Sequence, residues 1–497
     1  MSHLYLARIR LRALSPLSIA SGREDAENDV LLVRDANGLP MIPATALAGV
    51  LRGRLLEAGL DAKAIDDAFG RARQTGVRRE LIERSRLTLT NAAVVDRHGV
   101  AIDGLCFDLA TKAKADEILR RALAIQPLKR DHVRLSARHV VDGEGKFERN
   151  ALPAGYRFVF DLRFSDPART EGNFWSTLLN AIREEPLQIG GGTRRGYGMV
   201  DAISIRPIVV DLHSESALDA LRSWPIELSR ALPESTVDLV KSRDPVVGKR
   251  SIKVTLTPSD FWRIGGERRY EGKGASKLDD GEKAPQLVPY TEPRIVWKQD
   301  GTEHGTAVLE DQERLVVPAT AIKGAIRHRM AFHANRITGR FADPDYPAKN
   351  PAGEPEGVRK LLGYVDEAAN IQTNGNSAAK QISAQAGLIA LTDAWVTDPK
   401  TLDLWHNGID RFSGGVRSSV LYGEQIVFKG KLEFSIHLRP AQGDMLKPAR
   451  EAFAQAVHDL INGRLAIGAG SSKGHGYMNG EISDAVRWNK WVEEGVI

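Results

Sequence analysis

The feature that most constrains this 497-residue chain is that it repeats itself. MIPATALAGVLRGRL from Met41 matches VVPATAIKGAIRHRM from Val316. Pro43 pairs with Pro318, Thr45 with Thr320, Gly49 with Gly324, Arg52 with Arg327 and Arg54 with Arg329, all 275 residues apart (318 minus 43, 329 minus 54). Further on, LQIGGGTRRGYGMV from Leu187 matches LAIGAGSSKGHGYM from Leu465, setting Gly190 against Gly468, Gly192 against Gly470, Gly196 against Gly474 and Gly198 against Gly476 at a separation of 278 (468 minus 190). Weaker echoes keep the same order in between: Phe69-Gly70 with Leu362-Gly363, LTLTNAAVVD with LIALTDAWVTD, and Arg138 ahead of ALPAGYRFVF with Arg411 ahead of QIVFKGKLEF. The separation swells to 301 between Leu87 and Leu388 (388 minus 87). Extra residues therefore lie around ADPDYPAKNPAGEPEG, a Pro/Gly-rich loop in the second copy, and around CFDLATKAKADEILRRALAIQPLKR in the first.

A chain of this length exceeds what one hydrophobic core supports, so the repeat is read as two modules, residues 1–208 and 251–497, joined by a connector over 209–250. Each copy opens on an alternating strand, LYLARIRLRAL or SIKVTLTP, passes a glycine turn, and enters the Pro-Ala-Thr-Ala segment. There Ala46, Val50, Leu51 and Leu55 share one face, as in a helix packed on a half-buried sheet. Pro43 and Pro318 end the strands, and Thr45 and Thr320 are placed to cap the helices. Few strands, few helices and antiparallel pairing predict an α+β fold of two tandem ferredoxin-like (RRM-like) modules with insertions.

With 42% hydrophobic and 27% charged residues, the chain is expected to be an ordinary globular protein. Nothing approaches the roughly 20 apolar residues of a membrane span, and charges interrupt the N-terminus where a signal peptide needs an apolar run, so the expectation is cytoplasmic with no membrane partner. A single cysteine, Cys106, excludes internal disulfides and thiolate zinc clusters and reads as a small core residue. With 69 Lys+Arg against 64 Asp+Glu, a nucleic-acid partner would require positive charge concentrated locally. The 12 histidines give no ligand set, and His328 and His333, five apart, read as surface residues. At 6% aromatic, base stacking is not expected to be the main binding mode.

The glycine loops superficially resemble a dinucleotide fingerprint, but they close their modules and run into strands rather than opening a helix, and neither carries Gly-Lys-Ser/Thr. Two readings remain. The glycines could serve tight turns by positive φ; or they could bring backbone N–H groups to phosphate oxygens while Arg194-Arg195 and Lys473 neutralise them, which the embedded cations favour.

Taken with PLSIASG from Pro16 and its weaker copy FWRIGG, the IPATALAGVLR and VPATAIKGAIR segments and the two glycine loops resemble the RAMP superfamily of CRISPR-associated proteins. More narrowly, the chain looks like a fused double backbone subunit, of the Cas-seven type, from a type III effector complex used in antiviral defence. The resemblance implies guide RNA (crRNA) along the helix and loop of each unit, a target RNA paired with it, a hairpin wedged into the duplex, and other effector subunits as partners. It assigns RNA contact to Thr45, Arg52, Arg54, Arg138, Gly190, Gly192, Arg194, Arg195 and Gly196 in the first module. In the second it assigns Lys323, Arg327, Arg329, Arg411, Gly468, Gly470, Lys473 and Gly474. Ala48 stands where the motif prefers lysine, as at Lys323, which points either to weaker guide contact in the first unit or to contact resting more on Arg52.

The same resemblance implies an endonuclease that cleaves target RNA with Mg²⁺ or Mn²⁺. DVLLVRDANGLPMIP puts Asp29 at the catalytic position, with Glu24, Asp25 and Glu27 nearby. In the second module the corresponding stretch, PYTEPRIVWKQDGTEHG, is longer and falls near Thr291 or Glu292, with Asp279 and Asp280 upstream. Two alternatives stand beside this: a non-catalytic guide-RNA scaffold, and a guide-processing endonuclease. The latter typically uses an N-terminal histidine, a role for which His3 is poorly placed, ahead of the first strand.

Overall fold

The structure is a computed structural model and describes residues 3–22, 30–72, 82–135, 141–166, 172–233, 236–240, 250–267, 285–342, 354–367, 382–417 and 421–497. Asp29, Arg138, Asp279 and Asp280, with Glu24, Asp25 and Glu27, lie outside the described residues.

The first module is built from β1 (His3–Ala13), α1 (Ala44–Glu57), β2 (Leu87–Leu89), β3 (Arg157–Asp166), α2 (Gly172–Arg183) and β4 (Met199–Asp211). The second repeats the series as β5 (Ser251–Pro258), α3 (Ala319–Ile337), β6 (Ile389–Leu391), β7 (Tyr422–Leu438), α4 (Lys447–Ile461) and β8 (Met478–Ile482). Both sheets are antiparallel through these strands, in the orders β2-β3-β1-β4 and β6-β7-β5-β8. This is the ferredoxin-like arrangement, twice.

Alternation explains the packing. In β1, Ile9 and Leu11 turn into the first core, where Leu47, Leu51 and Leu55 of α1 and Leu178 and Ile182 of α2 meet them. In the second core Ile252, Val254 and Leu256 of β5 meet Ile322, Ile326 and Met330 of α3 and Phe453 and Val457 of α4. Burying each such Leu or Ile contributes about 1.5–3 kcal/mol.

The helices do not start as expected. Thr45 and Thr320 lie inside the first turn and cap nothing; the N-caps are Pro43 and Pro318, which have no hydroxyl to offer. The first helical N–H is satisfied from the strand side instead: Asn91 Oδ1 accepts from Ala44 N at 2.9 Å, and Asp393 Oδ1 from Ala319 N at 2.8 Å. His3 opens β1, buried, rather than preceding it, and His333 is buried with Nε2 2.8 Å from Asp459. Cys106 is half-buried at the core margin, donating to Asp108 at 3.1 Å.

β4 runs through Asp211, and the stretch after it folds back: Trp224 and Leu232 pack with Leu6 and Val210 against the outer face of the first sheet. PYTEPRIVWKQDGTEHG, longer than the first-module stretch it corresponds to, opens a two-stranded clasp (Thr291–Lys298 with Thr306–Val317). Its outer half belongs to the other module. Ile295 and Ala307 are buried in the first core; Ile295 N donates to Ala154 O at 3.1 Å, Trp297 Nε1 to Gly155 O at 2.9 Å, and the Arg157 guanidinium lies 3.7 Å over the Trp297 ring.

Candidate nucleic-acid interface

The two glycine loops are the same object in backbone terms. Gly190, Gly192, Gly196 and Gly198 all have φ between +73° and +86°, and Gly468, Gly470, Gly474 and Gly476 between +80° and +95°. An L residue is strained at each. Three of the four pairs also share the same close neighbour. A Cβ on Gly190 would lie 2.5 Å from Ser18 O, and on Gly468 2.3 Å from Arg263 O; on Gly192 it would strike the Tyr197 ring and on Gly470 the His475 ring; on Gly198 and Gly476 it would strike the carbonyls of Ile189 and Ile467. Backbone N–H groups are spent in parallel, Gly191 on Ser18 O and Ala469 on Arg263 O, Gly198 on Pro16 O and Gly476 on Phe261 O. Turn chemistry thus accounts for most of the glycines.

The third pair differs. A Cβ on Gly474 would meet open space, whereas on Gly196 it would lie 2.6 Å from the Ala319 Cβ and 2.5 Å from Asp393 Oδ1. The first-module loop is seated on the N-terminus of α3 in the second module. Lys323 Nζ donates to Arg194 O at 3.1 Å, and Arg194 Nε to Gly387 O at 2.9 Å, with Gln188 accepting from its Nη1.

Beneath the loop lies a buried ionic network. Arg130, on the first-module hairpin (Leu128–Leu135 with Val141–Ala151), donates Nη2 to Glu292 Oε2 and to Asp393 Oδ2, each at 2.7 Å. Arg130 and Glu292 are 1% exposed and Asp393 4%, so all three charges are out of water. Burial still holds the Asp393 carboxyl above its usual range against the pull of Arg130. The Tyr290 hydroxyl also donates to Glu292 at 2.7 Å, so Glu292 is committed to this network.

Above it, cations from both modules converge. Arg149, a neighbour of Arg130 across the hairpin, Arg194 and Arg195 come from the first module; Lys323 and Arg327 come from α3. Burial, then Arg327, Arg195 and Arg194, bring the Lys323 pKa down to about 7. Desolvation, then Arg149 and Arg327, lower Arg195, whose residue remains solvent-exposed. Burial, then Arg130, Arg149 and Arg195, hold His132 at about 4, so its ring is neutral. Burial is the larger cause in each case, and the like-signed neighbours add to it.

The second loop is electrically different. The Leu17–Leu152 bridge recurs as Trp262–Val427, and the stacked pair His132–Phe147 (ring centroids 4.8 Å) as His406–Tyr422 (4.9 Å). In this register Arg149 corresponds to Glu424, and Arg130 to Leu404. Glu424 takes Arg263 at 2.7 Å and His406 at 3.1 Å, with Lys473 at 3.9 Å, so the second loop's cation is offset by a carboxylate.

The helix arginines singled out from the repeat are not a bare basic stripe. Arg52 pairs with Asp66 and Arg327 with Glu354, each also donating to the carbonyl of the glycine that ends the next helix, Gly70 or Gly363. Arg54 pairs with Glu185 at 2.6 Å, while Arg329 pairs with Asp459, fastening α1 and α3 to their neighbours. Thr45 is exposed beside the uncovered start of α1. Arg411 lies 5.6 Å over the Phe412 ring between the strands of the second-module hairpin (Ala394–His406 with Tyr422–Leu438), where Phe412 is 92% exposed. Sequence reading missed Arg149 and Arg130, whose roles appear only when the hairpin is folded over the loop. Among the described residues no three His, Cys, Asp or Glu side chains gather as a metal site, and no helix is long and apolar enough to cross a membrane.

No curated protein matches the chain. Solved structures that match include two cryo-electron-microscopy structures, a type III-B Cmr-beta complex in the apo state and the same kind of complex bound to cognate target RNA. Both are 14% identical over 40% of this chain and 96% of the matched chain, with TM-scores of 0.28 and 0.29, too low to say more than the fold says. The model of the RAMP superfamily matches residues 10–201 and again 255–479, one stretch for each ferredoxin-like module. By that double match the chain belongs to the RAMP superfamily, with two RAMP modules in one polypeptide.

Proposed function

We propose that this chain is a guide-RNA-binding backbone subunit of a type III CRISPR effector complex, gripping the guide's phosphates chiefly at the junction between its modules. One observation carries this reading: Arg149, Arg194, Arg195, Lys323 and Arg327 converge on the first glycine loop, where burial and then these cationic neighbours lower the proton affinity of Lys323 and Arg195. A phosphate placed there relieves that repulsion and restores the charge on Lys323. Lys323 thus serves the first module's loop, and the missing lysine at Ala48 does not weaken it. The test is guide-RNA affinity against salt concentration. Each lost phosphate contact flattens the log–log slope by about 0.7 for single-stranded RNA, so Arg149→Glu with Arg195→Ala should reduce both affinity and slope. A slope unchanged by that double substitution would refute the grip.

Target-RNA cleavage by the first module completes the proposal, with Asp29 as the acidic residue and Mg²⁺ or Mn²⁺ as the ion. In an assembled complex, Asp29→Ala should remove one cleavage product while leaving guide binding intact. Unchanged products would leave the chain as a scaffold, and cutting of repeat RNA in EDTA would mark it as a guide-processing nuclease.

A further inference from the structure

Alternation in β1 sends Ile9 and Leu11 into the first core and turns Arg8 and Arg10 onto the opposite face of the sheet, where β4 sets Arg206 beside Arg8 and Ser204 beside Arg10. That outer face is largely roofed. The connector crosses it at Arg230, and the tip of the clasp, Glu303 and His304, reaches it from the second module. A cleft remains where the three meet.

The charges around this cleft do not balance. Arg8 gives Nε and Nη2 to Asp161 at 2.8 and 3.0 Å and donates to the carbonyls of Arg230 and Pro225, both at 2.8 Å. Arg206 pairs with Glu303, and Arg230 lies 3.5 Å from Glu227. Asp238, behind Arg206, is committed to Ser204 Oγ at 2.6 Å and to the backbone N–H of Ile205 at 3.0 Å. Arg10 has no carboxylate partner among the described residues; it donates Nη1 to Gly99 O at 2.7 Å, and its guanidinium keeps further donors unspent. Burial, then Arg206 and Arg8, bring its pKa down to about 10 against the pull of Glu303. His304 adds no charge, because burial and then Arg10 hold its ring at about 4. One mostly buried guanidinium is therefore left over, and a buried charge without a partner is costly.

We propose that this cleft binds a single phosphate group, held by Arg10 and flanked by Arg206 and Arg230. A guanidinium offers an oxyanion two parallel N–H donors, which suits the unspent side of Arg10. The cleft is small and partly open, so it admits one anionic group and not a run of nucleotides. That group arrives free, as inorganic phosphate, or on the end of a nucleotide. Because the walls come from both modules, an occupant fastens the clasp to the first sheet at a place separate from the glycine loops.

The test is calorimetric titration of the full chain, freed of nucleic acid, with inorganic phosphate and with adenosine monophosphate, chloride holding the ionic strength constant. It is run in an Arg149→Glu, Arg195→Ala background, which weakens the phosphate grip at the first glycine loop, so that the two readings fail separately. Phosphate should bind there and raise the melting temperature. Arg10→Gln should weaken binding about tenfold or more, the loss of a charge-assisted contact. Glu303→Gln, an exposed side chain that ties up Arg206, should tighten it about threefold, and this second variant carries the test if Arg10→Gln does not fold. Tighter binding of the monophosphate makes a nucleotide the source; equal or weaker binding makes it inorganic phosphate. No phosphate binding in that background, binding indifferent to both Arg10→Gln and Glu303→Gln, or a melting temperature unmoved by phosphate would each overturn the proposal.

Discussion

Gly196 and Gly474 occupy equivalent turns with nearly equal φ, +86° and +85°, yet one is pressed against another module and the other faces open space. The difference shows how a duplicated fold divides labour without changing its backbone. Three glycines of each loop answer to their own module. The remaining glycine, with one hairpin residue on each side of the turn (Arg130 or Leu404, Arg149 or Glu424), decides what the loop meets. Identical turns thus serve a charged, occupied junction in one copy and a neutral, open face in the other.

The largest test of this contrast removes the ion at its centre. Arg130→Met leaves Glu292 and Asp393 facing each other without a cation and should cost about 3–5 kcal/mol, with the modules unfolding in separate steps in urea. Leu404→Met at the equivalent place should cost under about 1.5 kcal/mol. If the two substitutions cost the same, the loops are not differently employed.

Next in size are the glycines. Alanine at either position pays about 1–2 kcal/mol for its positive φ, but Gly196→Ala must also displace Ala319 or Asp393, adding about 1–3 kcal/mol that Gly474→Ala escapes. Chemical denaturation of the pair gives the difference directly.

Charge exchange gives a smaller effect, read on RNA. Arg149→Glu should weaken guide binding about tenfold at low salt, while Glu424→Arg should tighten it by converting the second loop toward the first; each changes the salt slope by about one phosphate contact.

The smallest effect is in pH. Lys323, lowered to about 7 by burial and its cationic neighbours, is partly neutral near neutrality in the free protein, and a bound phosphate restores its proton. RNA affinity should therefore fall as pH rises from 6.5 to 8.5, and Lys323→Met should flatten the profile. Folding stability moves the opposite way. The folded pKa lies below the unfolded value near 10.5, so the unfolded chain holds more protons between them and stability climbs with pH across that window.

The ferredoxin-like cores were legible because their determinants are local and doubled: alternation in β1 and β5, apolar spacing in α1 and α3, and glycine turns at fixed separations. What escaped is carried by contacts distant in sequence. The true caps, Asn91 and Asp393, lie far from Ala44 and Ala319, so the nearer threonines looked like the caps. Arg52, Arg54, Arg327 and Arg329 repeat faithfully, yet their partners Asp66, Glu185, Glu354 and Asp459 show no such fixed spacing, so the pairing was invisible. The clasp is longer than the first-module stretch it corresponds to, and nothing in its strands declares that they pack on a different module.

That clasp bears on how the polypeptide comes into being. Ile295 and Ala307 fill the first core, so a nascent chain leaving the ribosome has completed every strand of its first half while still lacking part of that half's interior. Until some hundred further residues have been synthesised, the half-made molecule exposes the groove beside Ala154 and Gly155. Severing the gene between the modules would strand each product with a seam only the other can seal.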